Sequence, residues 1–268
     1  MDELVDVNGT EIRVETRGEG PTVLLIAGLG DPAEAWQAQM DGLSGRYRMI
    51  AYDNRGTGRT PLRDEQLSLA MMADDAMGIL KALDVKNAHV ASFSGGSMVA
   101  QELALRHPEF VRSLVLVSTW AREDAYLASV IRFWRWLATE APDERAMLEA
   151  LLLWIYTPRA HNDGTVERVI HEMLQSPHPQ SPEDFQRQLE AFTGNDTLER
   201  LSRIAAPTLV LAGDLDIVTP PRFGRVVAEK IPGAAFEVLK GEAHRPFQES
   251  PEAFNARIDA FWQATDGY

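Results

Sequence analysis

The chain has no cysteine. That excludes disulfides, thiolate nucleophiles and thiolate metal ligands. It has no apolar run near the ~20 residues a membrane-spanning helix needs. Its opening, MDELVDVNG, is acidic and lacks the apolar segment of a signal peptide. Positive charge is scarce: 26 Lys and Arg stand against 40 Asp and Glu, a formal net charge of −14. Phosphate backbones are bound by clustered Lys and Arg. The nearest approach to a basic run is Ile131–Trp136, where two arginines alternate with aromatics. The expected partner is therefore a small molecule, with no nucleic acid and no membrane, and the expected location is cytoplasmic. No cofactor and no metal are expected.

What is present suits one large α/β unit. Of 268 residues, 45% are hydrophobic, enough for a sizeable core, and no low-complexity region or internal repeat occurs. LVDVNGTEIRVET is two strand-like runs joined by Asn8-Gly9, a hairpin signal. Short apolar runs follow at 21–28, 47–53, 87–93, 111–118, 207–213 and 234–240, the pattern of strands buried on both faces. Helical patterns separate most of them, which predicts a mostly parallel sheet flanked by helices. PAEAWQAQMDGL is expected to open with Asp31 as N-cap and Pro32 in the first turn. From 121 to 201 no strand is evident. LASVIRFWRWLA, ERAMLEALLLWIY and PEDFQRQLEAF read as helices. Residues 1–120 and 202–268 are the expected core, and 121–201 an inserted helical cap over a pocket.

HVASFSGGSMVAQ holds three serines at a strand-to-helix junction. In a tight bend of this kind the central side chain projects clear, and the residues two before and two after it nearly touch. Both must be small. Ser92 is flanked by Val90, and Ser97 by Val99. Only Ser94, between Ser92 and Gly96, fits.

SFSGG resembles the Gly-x-Ser-x-Gly elbow of the α/β hydrolases, with Ser92 in place of the first glycine. A serine needs a base. Of six histidines, His244 follows the last predicted strand and precedes the last helix, above the sheet edge where Ser94 is expected. His89 lies inside a strand, His107 at a helix end, and His161, His171 and His178 in the insertion. Residues Gly241–Phe254 are similar to the family pattern G-x-x-H-x-x-x-x-E-x-P-x-x-F. LVLAGDLDIVTPP offers two carboxylates, Asp214 and Asp216. The family's G-x-x-D-x-x-x-P maps onto Gly213, Asp216 and Pro220, which implies Asp216 as the acid and leaves Asp214 to support the turn. The order Ser94, Asp216, His244 is that of the family.

Gly95, at a helix N-terminus, supplies one oxyanion N–H. The resemblance places the second on Leu29 in AGLGD, where Ala27 stands for the usual histidine. YDNRGTGRTP lacks dinucleotide glycine spacing, and the resemblance makes Asp53 a structural acceptor in a turn. LIAGLGDPAEAW, YDNRGTGRTP and VSTWAR are similar to the subgroup around aminoacrylate hydrolase and 3-oxoadipate enol-lactonase. That implies a serine hydrolase acting on a small ester, lactone or related acyl substrate. The same triad also serves carbon–carbon bond hydrolysis and perhydrolysis, and the fold hosts non-hydrolytic ligand binders. Trp120 is a candidate substrate contact. Trp134, Trp136, Trp154 and Tyr156 form either a pocket roof or the insertion's own core. Arg122, Arg132, Arg135 and Arg159 are candidate partners for a substrate carboxylate, or solvated side chains.

Overall fold

The computed structural model describes residues 1–64 and 66–267. β1 (Asp2–Val7) and β2 (Thr10–Arg17) form the hairpin, with Asn8 and Gly9 both at positive φ, as a two-residue turn of this hand requires. β3 (Thr22–Ile26), β4 (Arg48–Tyr52), β5 (Ala88–Phe93), β6 (Val111–Val117), β7 (Thr208–Gly213) and β8 (Ala235–Leu239) complete one eight-stranded sheet. Its order is β1-β2-β4-β3-β5-β6-β7-β8, and every pair from β4 to β8 is parallel.

Alternation along the strands sends side chains to two faces. Leu24, Ile26, Val90, Leu114, Leu116 and Val210 bury one face. It is covered by α2 (Leu69–Ala82), α3 (Gly95–Arg106) and, further along the chain, the helix Pro221–Lys230. Val23, Leu25, Ala91, Val115, Val117 and Leu211 bury the other. There α1 (Gln37–Leu43) and the C-terminal helix Pro251–Asp266 supply Met40, Ile258 and Trp262.

Between β6 and β7 run α4 (Ala125–Glu140), α5 (Glu144–Leu152), α6 (Pro158–Asn162), α7 (Thr165–Leu174) and α8 (Pro182–Phe192). The expected helix over ERAMLEALLLWIY stops at Leu152. Residues 153–157 turn instead, because Pro158 disfavours helix in the residue before it and Thr157 caps the next helix by accepting from the Ala160 N–H. α6 and α7 have no counterpart in the sequence reading. Leu127, Ile131, Leu189 and Phe192 of α4 and α8 join the main core, while α5 to α7 bury a core of their own around Leu152, Ile155 and Ile170. After β7 come α9 (Pro221–Lys230), α10 (Pro246–Glu249) and α11 (Pro251–Asp266). No helix among the described residues is long and apolar enough to cross a membrane.

Asp31 is not an N-cap. The segment opens as a 3-10 turn, Ala33–Trp36, with no side-chain cap at Pro32. The Ala33 N–H donates instead to Asp53 (2.8 Å), which also accepts from the Arg59 N–H (2.9 Å). Asp53 is thus the structural acceptor of its turn, and Asp31 is left for another partner.

At the opposite end of β5, His89 is fully buried. Its Nδ1 lies 2.7 Å from the Ser113 hydroxyl and its Nε2 3.3 Å from Asp266, which Arg112 also holds at 2.8 Å. The rings of Tyr47 and Trp262 wall it in. These are the residue types of a catalytic triad, but they are sealed from solvent. Burial pushes the His89 pKa below its ordinary 6.5, with Asp266 opposing the shift. The unfolded chain therefore binds a proton near pH 6.5 that the folded chain accepts only at lower pH. Stability is lost as pH falls below that value. In His89→Gln, the decline of melting temperature between about pH 7 and pH 5 is expected to be shallower than in wild type, as measured by thermal melts across that range.

Candidate active site

Ser94 sits between β5 and α3 at φ 51°, ψ −129°, a sparsely populated conformation for a residue with a Cβ. Its N–H donates to Val117 O (3.0 Å). The bend is crowded. A Cβ on Gly96 would lie 2.3 Å from Ala27 O and 2.7 Å from Ile26 O. At the other flank, the Ser92 hydroxyl turns into the sheet and donates to Val115 O (3.2 Å), so the extra hydroxyl is satisfied there. The Ser97 hydroxyl is likewise engaged, with Ser94 O (2.6 Å). Gly96→Ala is expected to destabilise the fold by about 1–3 kcal/mol, measured by denaturant unfolding, since two backbone carbonyls must move to admit one methyl.

The loops after β7 and β8 meet over the same edge. Gly213 permits this: a Cβ there would lie 2.3 Å from both Glu242 O and Ala243 O. Next along the chain, His244 places Nε2 2.9 Å from Ser94 Oγ and Nδ1 2.9 Å from Asp216 Oδ2. The Val218 and Thr219 N–H groups donate to Asp216 Oδ1 (2.8 and 2.9 Å), and Thr219 Oγ1 lies 2.9 Å from Oδ2. Burial alone pushes the Asp216 carboxyl upward. The charge and hydrogen bond of His244, with the Thr219 bonds, nonetheless hold it below the usual aspartate range. An ionised Asp216 accepts the Nδ1–H of His244. That leaves Nε2 as an acceptor facing the serine hydroxyl. Ser94 is 8% exposed, and His244 and Asp216 2% each, so the set is shielded from bulk water. Asp214 stands apart and accepts from the Gly241 N–H (2.6 Å).

The His244 loop is held from two further sides. Ser118, at φ 52°, donates its hydroxyl to His244 O (3.0 Å). The His244 N–H donates to Ile155 O (3.1 Å) in the turn between α5 and α6. Across the site, the Gly95 N–H opens α3, where helix N–H groups have no intrahelical acceptor. In the loop after β3, the Gly30 N–H is taken by Gln188 Oε1 of α8 (3.0 Å). Gln188 Nε2 in turn donates to Arg55 O (2.9 Å) and Thr57 Oγ1 (2.7 Å). The Leu29 N–H meets no acceptor among the described residues.

The family model for the alpha/beta hydrolase fold matches residues 21–251. The chain belongs to this family. This α/β hydrolase is 33% identical over 253 residues to the putative carbamate hydrolase RutD of Azorhizobium caulinodans, covering 94% of each chain. It is 31% identical over 256 residues to the putative non-heme bromoperoxidase BpoC of Mycobacterium tuberculosis, covering 92% of this chain and 96% of that one. The solved enol-lactonase from Burkholderia xenovorans LB400 superposes with a TM-score of 0.88 at 25% identity, covering 97% of this chain and 99% of that one. The enol-lactonase and the carbamate hydrolase agree with the subgroup that the sequence resembles.

The other candidate residues of this hydrolase separate cleanly. Trp120 is buried in the main core, and its carbonyl accepts from Gln101 (2.8 Å). The four aromatics of the insertion do not act together. Tyr156 belongs to the core of α5–α7, and Trp134 packs in a small cluster with Val130 and Val218 that Leu29 and Trp154 flank. Trp136 is 56% exposed, part of neither roof nor core. Arg122 pairs with Asp196 (2.6 Å) and Arg159 lies near Glu242 and Glu249 (3.5 and 3.6 Å); Arg132 donates to the exposed Ser129 (2.7 Å), and Arg135 is exposed. None of the four meets the Ser94–His244–Asp216 set. His107 lies 2.6 Å from Asp74, and His161, His171 and His178 are exposed. Ser118, Thr219, Gln188 and Arg245 escaped the sequence reading. Their only local signal is adjacency to a loop of the site, and it does not distinguish them from neighbouring residues.

Proposed function

We propose that this hydrolase cleaves a small ester, lactone or related acyl compound through an acyl-enzyme on Ser94. The reading rests on one observation: the unbroken run Ser94 Oγ, His244 Nε2, His244 Nδ1, Asp216 Oδ2, with 2.9 Å at each contact. His244 takes the hydroxyl proton as Ser94 Oγ bonds to the substrate carbonyl carbon. Asp216 stabilises the imidazolium. The carbonyl oxygen becomes an oxyanion, bound by the N–H groups of Leu29 and Gly95. Collapse breaks the acyl bond, and His244 returns the proton to the leaving oxygen. Water, deprotonated by His244, then attacks the acyl-enzyme and releases the acid and free Ser94. Residues 121–201 act as the cap, and Trp120 is a candidate wall of the acyl pocket.

A serine-directed fluorophosphonate tests this reading. Ser94 is expected to displace fluoride and gain one phosphonyl group, seen by intact mass, with no adduct on Ser94→Ala. Absence of both labelling and turnover of short-chain aryl esters would favour a repurposed, non-hydrolytic pocket. Likeness to a relative named a bromoperoxidase favours one variant, perhydrolysis, in which hydrogen peroxide replaces water at the acyl-enzyme. Peracid formed from ester and peroxide, dependent on Ser94, identifies it.

A further inference from the structure

Arg245 follows the base directly, yet its side chain points to none of the three triad members. Its Nη2 lies 2.8 and 2.7 Å from the two carboxylate oxygens of Asp31, two residues beyond Leu29. Both side chains are almost wholly buried, 7% and 6% exposed. The guanidinium lies 5.5 Å from the ring centroid of Phe93, the residue before Ser94, and 5.7 Å from that of Tyr156 in the inserted segment. Nη1 donates to Gln248 Oε1 (3.3 Å), which also accepts from the Tyr156 hydroxyl. Gln248 Nε2 donates to Ala35 O (3.0 Å), just past the Leu29 loop. One cation therefore touches the elbow, the Leu29 loop and the inserted segment while being anchored on the histidine loop.

We propose that Arg245 and Asp31 are positioning residues whose buried ion pair sets the distance between the His244 base and the Leu29 oxyanion donor. The inference rests on the serine-hydrolase reading above. Packing alone does not require charge here. The same space could be filled by apolar side chains, which often support a fold as well as a buried ion pair does. The pair instead joins two loops that come from the ends of β8 and β3, with three strands between them in the sheet. The acyl-transfer step needs both loops in register with Ser94, and a misplacement near 1 Å costs rate rather than binding. Burial pushes the Asp31 carboxyl up, and the guanidinium opposes that shift. Removing Arg245 alone would leave that carboxyl buried without its cation, so a double variant is the informative one.

The test compares wild type with Asp31→Asn, Arg245→Met and the double variant, each as the full chain. Turnover of 4-nitrophenyl acetate is followed across pH, alongside thermal melting. In the folded double variant kcat is expected to fall about 10- to 100-fold, with KM within about twofold and a displaced acid limb of the kcat profile. Arg245→Lys, which keeps the charge, is expected to recover part of kcat. A double variant that melts lower but keeps the wild-type kcat and pH profile overturns the proposal and leaves the pair a structural one. A second readout needs no turnover. Asp31→Asn is expected to move the imidazole nitrogen resonances of His244, and Arg245→Met the amide resonance of Leu29. If neither moves, the loops are uncoupled and the proposal fails. It also decides the matter if the double variant does not fold. If wild type shows no Ser94-dependent turnover, the hydrolase reading fails, and these resonances still decide the coupling.

Discussion

Ser94→Ala is expected to lower kcat/KM for a short-chain aryl ester by about 10⁴- to 10⁶-fold. The loss is this large because no second hydroxyl can substitute. The Ser92 hydroxyl donates into the sheet at Val115 O, and the Ser97 hydroxyl to Ser94 O. A residual rate above that of water is expected to remain, since the Leu29 and Gly95 N–H groups are untouched. Melting temperature should hold, because alanine keeps the Cβ and the backbone of the bend. Steady-state kinetics on protein shown to be free of labelled serine, together with a thermal melt, separates the two effects. Loss of only a few-fold would mean that Ser94 is not the nucleophile.

Asp216→Asn is expected to lower kcat by about 10⁴-fold with KM little changed. The surroundings of the carboxylate dictate how the amide sits. Val218 and Thr219 both donate N–H groups to Oδ1, so the amide oxygen takes that place. The NH₂ is then forced toward Nδ1 of His244, where Asp216 Oδ2 stood at 2.9 Å. A donor facing Nδ1 selects the tautomer protonated at Nε2, which cannot accept the Ser94 proton. The same loss should appear in the rate of fluorophosphonate labelling, measured by stopped time points and intact mass. Wild-type labelling in this variant would show that the imidazole does not depend on its carboxylate.

Both experiments concern residues that the sequence discloses, Ser94 through its immediate neighbours and Asp216, rather than Asp214, through the resemblance to the family pattern. The elbow is legible because Ser92 and Gly96 are small, whereas Val90 and Val99 are not; what crowds Gly96, however, is the backbone of Ile26 and Ala27 at the end of β3. The strands are legible because Leu24 and Leu25, adjacent in the chain, bury opposite faces and so produce continuous apolar runs. Asp31 shows where local reading fails. An aspartate before a proline and a helical pattern looks like a cap, yet a partner 214 residues away claims its carboxylate. Gln188 is hidden for the same reason. Its bonds to Gly30, Arg55 and Thr57 depend on where α8 comes to rest, and no spacing within PEDFQRQLEAF encodes that. The aromatics of the inserted segment divide among three environments: Trp134 and Trp136, two residues apart on α4, face opposite ways, and the turn at 153–157 carries Tyr156 into the core of α5–α7.

The backbone at residue 94 carries a consequence for how this chain can change. A side chain held at φ 51°, ψ −129° costs on the order of 1–3 kcal/mol, and a bare α-carbon would relieve most of it. Under selection for stability alone, random substitution at this codon would drift toward the residue without a Cβ. Ser94→Gly is therefore the direction in which this position would drift once nothing was demanded of its side chain, toward a sturdier protein. Keeping a side chain on so unfavourable a corner means that the molecule gives up folding free energy at residue 94, which is what the proposed role of its hydroxyl would demand.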